Sequence, residues 1–168
     1  MHEPHDLDEL TPRGAIDAVI ADVRDHTVDP GAAGLFTAIR HIDLISHLAV
    51  RLSGDALHHA EQSPCSPNGT WRSVEKLVCA TATLTNAASH YAQALVPLAT
   101  LSRPVGPQIP MSQALDRIAL HSNLRTHLRS AQQALDETRT VLAGPTRATT
   151  SQPSKPVGHV QSPVLRQH

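Results

Sequence analysis

Aromatic residues are nearly absent: Phe36, Trp71 and Tyr91 are the only three in 168 residues. Sheets draw on aromatic and β-branched side chains, so a core made from Leu, Ile, Val and abundant Ala points away from β-structure and toward closely approaching helices. Cysteine is also scarce. Cys65 and Cys79 are too few for a disulfide framework and lack the paired spacing of a zinc site, so both read as thiols, with a Cys65–Cys79 pair as the one alternative. The eight glycines are scattered and form no phosphate-cradling turn. No window approaches the roughly 18–20 apolar residues of a membrane span. The start of the chain lacks a basic segment followed by an apolar one, so the expected compartment is the cytoplasm.

Charge is unevenly divided. Residues 1–102 hold six Lys or Arg against twelve Asp or Glu, a net of −6, whereas residues 103–168 hold eight against three, a net of +5. Neither half is basic enough to compel a nucleic-acid reading, but the two can attract one another within or between chains.

What the chain does have is helical periodicity. Leu35, Ala38, Ile42, Ile45, Ala49, Leu52 and Ala56 recur at spacings of three and four, which places them on one stripe of a helix. Comparable stripes run from Val74 through Leu77, Thr81, Leu84, Ala88, Tyr91 and Leu95 to Leu98, and from Leu124 through Leu128, Ala131, Leu135 and Thr138 to Leu142. Stripes of this kind must bury against one another. The fold class is therefore all-α: an up-and-down helical bundle of three long helices and one short N-terminal helix, with a disordered C-terminal tail.

Caps and breakers set the boundaries. Residues 1–10 form a flexible acidic leader. Thr11-Pro12 opens a short helix over about 12–26, because Thr caps well and Pro tolerates the first helical position. A second helix spans about 32–61, continuous with a bend near Ser53-Gly54-Asp55. After a Pro-rich loop at 63–69, Thr70 caps a third helix over about 71–101, in which Pro97 removes a backbone donor and predicts a kink or stop near residues 93–96. Residues 103–110 form a connector, and Ser112 caps a fourth helix over about 113–143 that ends at Gly144-Pro145. The bundle domain is thus 11–144. Residues 145–168, rich in Pro, Ser, Thr and Gln, lack the apolar area to offset the entropy of ordering.

Phe36, Ile39 and Val50 lie beside the main stripe of the second helix and widen its apolar face, which predicts contact with more than one neighbour. The first helix is about half the length of the others, so part of a groove stays uncovered unless the 103–110 connector or another subunit fills it. A homodimer of long antiparallel helices is expected.

Candidate chemistry is thin. Twelve histidines invite a metal reading, yet no Glu-x-x-His motif is present for a di-iron bundle, and the residue four after His121 is Arg125. The remaining candidates for a three-histidine site are His47, His90 and His121, which would have to meet in space. No nucleophile elbow or cysteine-protease context exists, so no catalytic residue and no cofactor is assigned. One polar pattern stands out: Arg117, His121, Arg125 and Arg129, spaced by four, form a slowly rotating basic ridge. It reads either as an internal complement to Asp17, Asp22 and Asp25 of the first helix or as a docking strip for an acidic partner. Lacking aromatic stacking residues, the strip suits protein better than nucleic acid.

The function expected from these features is non-enzymatic: an assembly or adaptor protein acting through protein–protein contacts, above all with itself. Two alternatives are a small metal-dependent bundle enzyme using a histidine cluster, and a nucleic-acid accessory protein using the ridge.

Overall fold

The structure, a computed structural model, describes residues 3–62, 70–104 and 110–144. Four α-helices account for it: α1 (Pro12–Asp25), α2 (Ala32–Gln62), α3 (Thr70–Leu101) and α4 (Met111–Ala143), preceded by a single 3-10 turn at Pro4–Leu7. The all-α bundle of three long helices and one short one is the architecture of the chain, and no strand occurs among the described residues.

Local signals explain most of the boundaries. The Thr11 side chain accepts a hydrogen bond from the Gly14 backbone N–H at 3.1 Å, and Pro12 fills the first helical position. Gly144 closes α4 with φ 70°, a conformation that glycine adopts without steric cost. One expectation is corrected, and of the kink or stop read at Pro97 the stop is excluded. α4 begins at Met111 with Pro110 as its cap and no side-chain cap bond, so Ser112 sits inside the first turn and does not cap it. α3 runs without a stop through Pro97 to Leu101. In that last turn the hydroxyls of Thr100 and Ser102 bond back to the carbonyls of Val96 and Leu98, adding to the ladder beyond Pro97.

Packing is built around α3. It carries α2 on one flank and α4 on the other, while α1 lies against α4 and α2. Ring contact between His41 and Tyr91 fixes the level of α2 against antiparallel α3. On the other flank, Thr83 Oγ1 meets Thr138 Oγ1 at 2.7 Å. Each of these hydroxyls also points at a carbonyl of its own helix, Thr83 at Ala80 and Thr138 at Ala134. Thr83 also reaches the Cys79 carbonyl, so two protons serve four contacts.

Every residue of the three predicted stripes is buried or half-buried. The widened face of α2 is corrected: Phe36, Ile39 and Val50 are 69 %, 49 % and 74 % exposed. The width lies on the opposite flank, where His41, Leu44 and Leu48 are fully covered. α1 and the leader account for this, since Asp22 of α1 faces His41, and Arg51 donates to the carbonyls of Leu7 and Leu10. The leader, expected to be flexible, thus lays down its 3-10 turn with Leu7 fully buried.

The α1–α2 turn lies flat on the start of α2. A Cβ at Gly34 would stand 1.7 Å from the Asp29 carbonyl oxygen, so only glycine fits there. The predicted tail, the 63–69 loop with Cys65, and residues 105–109 of the connector lie outside the described residues.

Candidate functional site

The three metal candidates do not meet. His47 on α2 pairs with Asp8 of the leader at 3.0 Å. His90 on α3 faces His127 on α4, with ring centroids 6.2 Å apart, and His121 lies more than a turn away along α4. Among the described residues no group of three or more His, Cys, Asp or Glu side chains is placed to hold a metal ion. Cys79 is an exposed thiol, and its pairing with Cys65 falls on a residue outside those described. No helix among the described residues is long and apolar enough to cross a membrane.

The basic ridge is present, with Arg117 and His121 half-buried and Arg125 and Arg129 exposed. It is not the complement of α1. Asp17 pairs with Arg139 at 2.7 Å, Arg24 pairs with Asp136 at 3.5 Å, and Asp22 faces His26 at 3.3 Å. The two contacts that reach α4 use Asp136 and Arg139, beyond the ridge, and Asp22 is paired with His26 at the end of α1. His121, Arg125 and Arg129 border a shallow open depression with Ser122 and Thr126. Its polar lining can hold an anion's oxygens, but nothing encloses it.

One cluster was not predicted. Asp22, His26, Arg40 and His41 come together where α1 crosses α2, and His41 is fully buried. Neither ring nitrogen of His41 has a hydrogen-bond partner. Burial holds its pKa down at about 4, against the opposing pull of Asp22, while the neighbouring His26 and Arg40 lower it further. Its ring sits edge-on to Tyr91, 5.3 Å between centroids. Burial also pushes the Tyr91 phenol up from its usual value. The arrangement keeps a neutral imidazole in the core and offers no open space for a substrate, so its consequence is for stability. The cue in the sequence was position: His41 follows Ala38 by three, a core spacing.

The other unpredicted feature is a face. Phe36, Val50 and Leu57 on α2 are separated by multiples of seven, hence share one side of the helix with Ile39. Trp71, Val78 and Val96 on α3 also share one side, because eighteen residues make five turns. All seven are about half exposed or more. Thr83 and His90 mark the α4-facing flank of α3, and His41 and Arg51 mark the α1-facing flank of α2. Both apolar arcs lie away from those flanks, so they form one outer layer across the α2–α3 hairpin. Between Lys76 and Arg103, α3 carries no Asp, Glu, Lys or Arg at all. Around Val78 and Val96 the same side exposes small, uncharged residues: Ala82, Thr85, Ser89, Ala92 and Ala99. On α2 the arc carries Asp43 in its middle and Glu61 at its C-terminal end, and on α3 Glu75 stands beside Trp71 and Val78.

Set against known proteins, the chain matches no family model, no curated protein and no solved structure.

Proposed function

We propose that this protein is a non-enzymatic assembly or adaptor module that works by protein–protein contact, with the outer layer of the α2–α3 hairpin as its working surface. The observation that carries this reading is the scarcity of charge on the middle turns of that layer, where Asp43 is the one charged residue on the α2 arc between Phe36 and Leu57 and α3 has none from Val78 to Leu101. A solvated helix face is ordinarily studded with Lys, Glu, Arg and Asp, whereas this one exposes Phe36, Val50, Leu57, Trp71, Val78 and Val96 over small neutral neighbours. Exposed apolar area arranged contiguously marks contact surfaces, because leaving it in water forgoes about 25 cal/mol per Å². Catalysis needs a different provision, namely converging acid–base or metal-binding groups in a sheltered space.

The test is the size of the native particle. Tagged protein expressed in its own cells and fractionated gently should run well above the 18.0 kDa of one chain, and Val50→Glu should collapse it toward that mass. Wild-type protein running as a single chain in the native extract would overturn the reading.

The ridge supports a second contact. Among the described residues Arg117, His121, Arg125 and Arg129 make no ion pair while Arg139 and Arg24 are paired, so the ridge suits a carboxylate-rich partner segment. An acidic peptide should bind with an affinity that falls steeply with salt and is lost when Arg125 and Arg129 become Ala. Equal binding by that double variant would remove this contact.

A further inference from the structure

We infer that the partner on the α2–α3 layer is a second copy of this chain, related by a two-fold axis running along the hairpin, so that α2 of each copy lies over α3 of the other. This rests on the reading of that layer as a contact surface and names its occupant.

Area is the first argument. Helices of 31 and 32 residues, at about 1.5 Å per residue and about 10 Å across, present roughly 900 Å² as a pair, close to the about 800 Å² each partner gives to a stable complex. Shape is the second. Val50 stands out from the middle of the α2 arc, and Ala82, Thr85, Ser89 and Ala92 keep the middle of the α3 arc low, so a single copy carries both a knob and a hollow. A two-fold rotation brings them together, as an isologous interface requires. Register is the third. His41 meets Tyr91 within one chain, and the helices are antiparallel, so Val50, nine residues later, stands level with Ala82, nine residues earlier. The rotation keeps that level and seats each Val50 on Ala82 of the other copy. Charge is the fourth: from Phe36 to Leu57 on the α2 arc and from Val78 to Val96 on the α3 arc the face carries one carboxylate, Asp43, which the register sets level with Ser89 of the other copy, and the helix dipoles of α2 and the opposing α3 run antiparallel.

Sedimentation equilibrium of the purified full chain under reducing conditions tests the inference. Wild type should reach twice the 18.0 kDa chain mass. Val50→Glu buries two carboxylates against alanine in each dimer and should weaken association by roughly a hundredfold or more, with helical content unchanged because Val50 is solvent-exposed in one chain. Ala82→Lys should act likewise. An equimolar mixture of the two variants should regain the double mass, since one carboxylate then meets one ammonium. A wild-type chain that stays at 18.0 kDa at high micromolar concentration would overturn self-association. If the same protein were still large in native extracts, the contact-surface reading would survive with another occupant. Variants that dimerise as wild type, or a mixture that stays monomeric, would overturn the α2-over-α3 arrangement.

Discussion

The bundle has two sides of opposite finish. Where α1 lies on α4, the apolar seam of Ile16, Val19, Ile20 and Val23 is edged by Arg24–Asp136 and Asp17–Arg139, both partly exposed ion pairs. Where α2 lies beside α3, no ion pair edges the outer layer among the described residues. A polar rim is how a completed interface ends at water. The α1–α4 side is therefore closed by its own chain, and the α2–α3 side is left without a border.

Experiments can break or sharpen this contrast. Leu84 lies at the centre of α3 and is fully buried, so Leu84→Ala should cost about 3 kcal/mol in chemical denaturation, whereas Val50→Ala on the outer layer of α2 should change the stability of a single chain by less than about 0.5 kcal/mol. Equal costs would mean that the outer layer is already covered within one chain.

Acid should strike the α1 side. The unfolded chain protonates His41 near its ordinary value of 6.5, but the folded chain resists down to about 4. Between those values the unfolded state holds the extra proton, so stability falls as pH drops from 6.5 toward 4 and levels off below. At 1.36 kcal/mol per unit the loss is about 3 kcal/mol. Denaturation midpoints measured across that range should slope in wild type and flatten in His41→Phe; a slope unchanged by the substitution would assign it to other groups.

Gly34→Ala should cost about 1–3 kcal/mol, because the added Cβ displaces the Asp29 carbonyl and lifts the α1–α2 turn. Thr11→Ala removes the cap bond at the start of α1 and should cost about 1 kcal/mol. Smallest of all, Arg139→Ala should cost less than about 1 kcal/mol, since its pair with Asp17 is about half exposed. Thermal or denaturant unfolding of each variant checks the order; an Arg139→Ala loss exceeding that of Gly34→Ala would show that the rim supports the seam.

The sequence foretold the helices because periodicity, caps and breakers are local. Spacing of three and four identified which residues share an arc, but on α2 two arcs were apolar, and the choice between them depends on which side α1 approaches. Phe36, Ile39 and Val50 were placed inward for that reason, and His41 was passed over because a polar residue ordinarily faces water. The His90–His127 approach was also beyond reach, since the register of α3 on α4 is a tertiary property. The ridge of Arg117, His121, Arg125 and Arg129 was legible as a pattern, yet its neutralisation by α1 depended on how far along α4 the short helix would settle.

Alanine seams such as that between α3 and α4 are smooth, and smooth rods can slide past one another by a turn at little cost. The hydroxyl contact between Thr83 and Thr138 works as a detent. A one-turn slip would part the two hydroxyls and forfeit their mutual bond, so the knot holds the bundle in a single gear.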